Sequence, residues 1–168
     1  MIYLITGGAR SGKSRYAQNE ALALTDNPIY IATSNVTDDE FKQRVARHRE
    51  DRDERWTTLE EPLYVSKLPV AERIAVVDCV TLWLTNFFFQ YKQDIQASLD
   101  ALKKEIDEMA KYPGTFLIVS NELGMGLHAD TEMGRKFVDL QGWANQYIAG
   151  KASKVVFMVS GIPVSVKG

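Results

Sequence analysis

The sequence predicts an α/β domain with a mostly parallel sheet and helices on both faces. Three observations carry that reading. Short apolar runs (IYLIT, IYIATS, IAVVDC, FLIVS, VVFMVS) recur along the chain, separated by stretches of helical periodicity, which is the alternation that strand–helix–strand units produce. The stretch GGARSGKS stands between the first apolar run and the first helical stretch. It matches the G-x-x-x-x-G-K-[ST] loop in the strand–loop–helix context that loop requires. No internal repeat, low-complexity segment or linker breaks the alternation, so residues 1–168 read as one domain.

Each element follows from its own residues. Ile2 to Thr6 is a short apolar run ending at Gly-Gly, a buried strand, and Lys13 to Leu24 is the helix after the loop. Pro28 precedes a second strand, Ile29 to Ser34. Asp38 and Asp39 open a further helix along which Phe41, Val45 and His48 are spaced, and it runs out in the charged stretch EDRDER. From Asp51 to Arg73 no period is clear and no element is assigned. Ile74 to Cys79 is a third buried strand. Val80 to Tyr91 is a very apolar helix, suited to the core or a subunit contact. Ile95, Leu99, Leu102, Ile106 and Met109 repeat at helical spacing, and Pro113-Gly114 ends that helix. Phe116 to Ser120 is the fourth strand, followed by the loop NELGMG. Asp130 to Ala149 is a long helix closed by Gly150, with Trp143 and Tyr147 on one core-facing side. Val155 to Ser160 and a short Ile162 to Val166 complete the strands.

Composition narrows the function classes. The chain is 45% hydrophobic and 25% charged, as ordinary soluble globular proteins are. A net charge of −2 gives no support to nucleic-acid binding through bulk charge. Cys79 is the only cysteine, so no internal disulfide forms and a reducing compartment is expected. No apolar run reaches transmembrane length. MIYLITGG is too short for a signal peptide and runs straight into the loop motif. A cytoplasmic protein without a membrane span is expected.

The loop residues Gly7, Gly8, Ala9, Arg10, Ser11, Gly12, Lys13 and Ser14 form a phosphate cradle. Glycines let backbone N–H groups wrap around phosphate oxygens, and the helix N-terminus adds positive potential. Lys13 would reach the terminal phosphates and Ser14 would ligate Mg²⁺. Asp78 ends an apolar strand, where a second metal-directed acid belongs, or where an acid caps the next helix. The motif specifies a nucleoside triphosphate, not a reaction.

RVARHREDR, Arg44 to Arg52, sets His48 among four arginines. A solvated helix face accounts for it. So does a nucleophile kept neutral by cationic neighbours, with Arg47, Arg49 and Arg52 holding the phosphates under attack. Asn121 and Glu122 follow a strand at the open edge of the sheet, where they order the site, touch substrate or form a simple turn. His128 reads as a loop residue.

The motifs GGARSGKSRYAQ, YIATS, DDEFKQRVARHREDR, WTTLE, VDCVTLWLTN, VSNELGMG and VVFMVSGIPVSVK occur in that order along nearly the whole chain. Together they closely resemble the bifunctional adenosylcobinamide kinase/adenosylcobinamide-phosphate guanylyltransferase family of cobalamin biosynthesis. The resemblance implies a P-loop fold related to RecA-type ATPases and a homotrimer. It implies phosphorylation of adenosylcobinamide and then transfer of GMP from GTP to the phosphate, giving adenosylcobinamide-GDP and pyrophosphate. GTP and ATP are then substrates and a corrinoid is the acceptor. His48 matches the histidine that carries GMP. The nucleotide contacts fall on Gly7 to Ser14, Ala32, Thr33, Ser34, Arg49, Glu50, Asp51, Arg52, Glu60 and Asp78. After NELGMG the chain departs from the family, reading Leu127-His128-Ala129-Asp130-Thr131 where many relatives read Ile-Val-Pro-Glu-Asn.

Two rival functions remain on the residues alone. One is a small-molecule P-loop kinase with no covalent intermediate. The other is a regulatory P-loop ATPase.

Overall fold

A computed structural model of the chain describes residues 1–34 and 53–168. Its centre is a seven-stranded sheet in the order β3-β2-β4-β5-β1-β6-β7. The strands are β1 (Ile2–Gly7), β2 (Ile29–Ala32), β3 (Thr57–Glu60), β4 (Ile74–Asp78), β5 (Thr115–Val119), β6 (Lys154–Val159) and β7 (Ile162–Lys167). Every neighbouring pair is parallel except β6–β7, an antiparallel hairpin. The helices are α1 (Lys13–Leu24), α2 (Val80–Gln90), α3 (Ile95–Lys111) and α4 (Glu132–Lys151). The expected α/β architecture, mostly parallel with helices on both faces, is what forms.

Alternation along the strands builds the two faces, since successive side chains point to opposite sides. Ile2, Leu4, Ile29, Ile31, Ala75, Val77, Phe116 and Ile118 face one way and pack with residues of α2, α3 and α4. Ile5, Tyr30, Val76, Leu117 and Val119 face the other way and meet Ala17 and Ala21 of α1. Both faces are covered, so the central strands are near-continuous apolar runs, as parallel strands tend to be.

Three local expectations change, and a fourth is decided between its two alternatives. β3 lies inside the span left unassigned. It is an edge strand with largely exposed residues, so it carries no apolar alternation to betray it. The apolar stretch of α2, which suited either the core or a subunit contact, is core. Trp83, Leu84, Phe87 and Phe88 are all buried within the single chain, and Phe89 alone of the group is mostly exposed. α4 does not stop at Gly150 but runs to Lys151, with Ala152 in extended conformation just beyond. Trp143 is not core: 46% of its surface is exposed, because Leu140, Ala144 and Ile148, one turn apart, define the buried stripe. Among the described residues no helix is long and apolar enough to cross a membrane.

Candidate functional site

The sheet's strands end together at one edge, and the loop motif lies there. Gly7 closes β1 with φ 149°, and a side chain on it would meet the Met158 carbonyl oxygen at 2.6 Å and Ser11 Oγ at 2.9 Å. Only glycine lets β1 turn into the loop that close to β6. Gly12, at φ 93°, is the N-cap of α1, and no side chain caps that helix. Its first-turn N–H groups, without a side-chain partner, keep their polarity for an anion.

Lys13 folds back over the loop. Its Nζ donates to the Gly8 carbonyl oxygen at 2.5 Å and reaches Ser11 Oγ at 3.5 Å. Burial lowers its pKa, while the nearby Cys79 and Asp78 act in the opposite sense. Cys79, buried and next to the Asp78 carboxylate, is pushed up to about 12 and remains a thiol. Asp78 Oδ2 accepts from the Tyr30 hydroxyl at 3.0 Å.

Register aligns the other site candidates. Ala32 of β2 pairs with Glu60 of β3 on one side and with Asp78 of β4 on the other. Asp78 in turn pairs with Val119 of β5, and Val119 with Ile5 of β1. One row across the sheet therefore carries Glu60, Ala32 and Asp78, two residues short of the point where Gly7 leaves β1. Thr33, fully buried, continues from the row. Its Oγ1 donates to the Cys79 carbonyl oxygen at 2.8 Å and its N–H to that of Asp78 at 3.2 Å. Thus Gly7 to Ser14, Ala32 to Ser34, Glu60 and Asp78 come together at one edge. His48, Arg49, Glu50, Asp51 and Arg52 lie outside the described residues. His128 is exposed in the loop before α4.

The geometry also uses residues that sequence reasoning passed over. Asn86 Nδ2 donates to the Thr33 carbonyl oxygen at 2.7 Å and to that of Pro62 at 2.8 Å. It clamps the ends of β2 and β3 together. An amide inside the largely apolar VTLWLTNFFF was the available signal. Tyr30 was another, a hydroxyl within a buried strand. Gln141 and Asn145, spaced one turn apart on α4, form a polar set with Ser120 just beyond β5.

As chemistry, this edge presents N–H donors, a lysine ammonium and a strand-end carboxylate close enough to act on that ammonium. That suits a polyphosphate with its counter-charge. Among the described residues no group of three or more His, Cys, Asp or Glu gathers to hold a metal by itself. A cation shared between one hydroxyl, one carboxylate and a ligand's own phosphates needs no such cage.

The sequence profile described as "Cobinamide kinase / cobinamide phosphate guanyltransferase" matches residues 3–166. The chain belongs to that family. It is an enzyme of the family's class, handling nucleotide and cobinamide. "Bifunctional adenosylcobalamin biosynthesis protein CobP" of Pseudomonas aeruginosa is 41% identical, covering 98% of this chain and 96% of the relative. "Bifunctional adenosylcobalamin biosynthesis protein CobU" of Escherichia coli is 36% identical over 99% of this chain and 100% of that protein. The protein of the same description from Salmonella typhimurium is also 36% identical, with the same coverage. Family membership and the sheet edge agree on nucleotide chemistry at the P-loop.

Proposed function

We propose that this chain phosphorylates adenosylcobinamide and then joins GMP from GTP to that phosphate, using one triphosphate cradle for both reactions. It works as a single nucleotide-binding domain over residues 1–168, in the cytoplasm. The observation that carries the reading is the one sheet edge shared by Gly7 to Ser14, Ala32 to Ser34, Glu60 and Asp78, in a chain matched to the family from residue 3 to 166.

In the kinase step the acceptor hydroxyl oxygen attacks the γ-phosphorus of ATP or GTP and the nucleoside diphosphate leaves. Lys13 and the loop N–H groups hold the phosphates against the developing charge. Ser14 and Asp78 would hold Mg²⁺, which would supply charge neutralisation in both steps. In the guanylyl step His48 attacks the α-phosphorus of GTP. The bond from that phosphorus to the β-phosphate oxygen breaks and pyrophosphate departs. The acceptor's phosphate oxygen then displaces the imidazole, which recovers its free nitrogen. Arg47, Arg49 and Arg52 bind the phosphates and bias His48 toward its neutral, nucleophilic form. Two displacements replace one difficult transfer.

The test is incubation with α-³²P-GTP and Mg²⁺, followed by mass spectrometry. An acid-labile, alkali-stable GMP adduct on His48 supports the reading. Transfer from γ-³²P-ATP to the corrinoid with no adduct favours a plain kinase. Hydrolysis alone favours a regulatory ATPase.

A further inference from the structure

The turn after β5 offers a group that neither reaction above employs. β5 lies between β1, which ends in the phosphate cradle, and β4, which ends in Asp78. Ile5, Val119 and Asp78 share one row across these three strands. The residues that follow Val119 therefore leave the sheet between the cradle and the acid. Glu122 is among them. Its N–H donates to the Gly7 carbonyl oxygen at 3.0 Å, fastening it to the first residue of the cradle. Its half-buried carboxylate accepts from the Gly124 N–H at 2.7 Å. Among the described residues no lysine or arginine forms an ion pair with it.

The backbone beside Glu122 is held from two helices. Asn121 Nδ2 donates to Thr81 Oγ1 on α2 at 2.9 Å, and the Asn121 carbonyl oxygen accepts from Asn145 Nδ2 on α4 at 3.0 Å. Behind them, Ser120 Oγ donates to Asn145 Oδ1 at 2.5 Å, and Gln141 Nε2 donates to both Ser120 Oγ at 3.0 Å and Asn145 Oδ1 at 3.1 Å. Ser120 and Gln141 are fully buried, and Gln141 Oε1 has no partner among the described residues. A buried polar set with a partnerless oxygen is costly to keep, and what it holds rigid is the turn at Asn121 and Glu122.

We propose that Glu122 is the general base of the kinase step. The inference rests on the proposed kinase activity and assigns the proton within it. As the acceptor hydroxyl oxygen forms its bond to the γ-phosphorus, the O–H bond breaks and the proton passes to a Glu122 carboxylate oxygen. The bond from the γ-phosphorus to the β-phosphate oxygen breaks, and its electron pair leaves with the nucleoside diphosphate. Asp78 suits this role less well. Its carboxylate already accepts the Tyr30 hydroxyl and faces Lys13. Glu122 is bound through one N–H of its own glycine-bearing loop and swings to a hydroxyl by giving up that bond alone. The guanylyl step makes no call on such a base, because its acceptor is already an anionic phosphate and its nucleophile a neutral imidazole.

Two variants of the full chain, Glu122→Ala and Glu122→Gln, test this with γ-³²P-ATP plus adenosylcobinamide in one assay and α-³²P-GTP labelling in another. The kinase kcat is expected to fall by about 100-fold or more, the usual yield of a positioned base. KM for ATP and the extent of GMP labelling should stay within about threefold of wild type. Sodium formate should restore kinase turnover to Glu122→Ala and not to Glu122→Gln, where the amide fills the space. Kinase turnover near wild type in either variant overturns the inference. So does equal loss of kinase and labelling that formate leaves unrepaired, which is the mark of a purely structural residue. A wild-type protein that labels with GMP but never phosphorylates the corrinoid overturns the kinase reading itself, and is told apart by the unmutated control.

Discussion

Lys13 shows how a single residue is tuned by its surroundings. It is 7% exposed and its ammonium is folded onto the Gly8 carbonyl oxygen, so a phosphate entering the cradle replaces a bond the lysine already makes. Lys13→Ala is expected to abolish corrinoid phosphorylation and GMP labelling together, because both draw on one cradle. Kinase activity surviving near the wild-type rate would reveal a second nucleotide site. Cys79 gives a sharper measurement. With its thiol pushed up to about 12 by burial and by the Asp78 carboxylate, the thiolate needed for alkylation is scarce at pH 8.5. Iodoacetamide should leave the folded protein unmodified there and label it fully in urea. His48→Ala should lose GMP labelling while nucleotide affinity, measured by calorimetry, stays within about threefold, since a nucleophile acts in the transition state and the cradle supplies ground-state binding.

At the scale of elements, the site depends on ties between strand ends. Asn86 on α2 holds the Thr33 and Pro62 carbonyl oxygens together. Asn86→Ala leaves two carbonyl groups short of a donor and should cost about 1–3 kcal/mol, read as a lower urea midpoint. Nucleotide affinity should weaken with it, because the chain at Thr33 and Pro62, just beyond β2 and β3, loses its common anchor. α4 depends on its cap: Thr131 Oγ1 accepts from the Gly134 N–H at 3.0 Å. Thr131→Ala should cost about 1 kcal/mol with GMP labelling unchanged, separating stability from site geometry. The elements legible in the sequence were those with a period of their own, such as α1 and α3 or the five apolar strands. β3 was not legible, since Thr57-Thr58-Leu59-Glu60 forms a strand only because β2 offers it an edge. Proximity to tertiary neighbours, not local preference, makes it a strand.

For the whole molecule, the distribution of apolar surface frames the question of assembly. α2 buries Trp83, Leu84, Phe87 and Phe88 inside one chain, so of the two roles its sequence suited, core or subunit contact, these residues fill the core. Apolar side chains on the outside include a row along the hairpin edge, with Ile162 at 65%, Val164 at 46% and Val166 at 65% exposure, besides Phe89 and Trp143 on the helices. Edge strands of this kind invite pairing or cover. The homotrimer proposed from the family resemblance should appear in light scattering as about three times the 18.9 kDa chain mass. A monomer at micromolar concentration would count against it.

The sequence by itself determined the fold class, the phosphate cradle and the family. Those rest on residues adjacent in the chain: a loop motif bracketed by strand and helix, and runs whose period declares their element. Only the tertiary structure decided that Glu60, Ala32 and Asp78 stand in one row, that Tyr30 and Asn86 serve that row, and that Glu122 is fastened beside Gly7. These relations join positions far apart in sequence. Strand order and register bring them together, and no local pattern of residues encodes which strand ends will be neighbours.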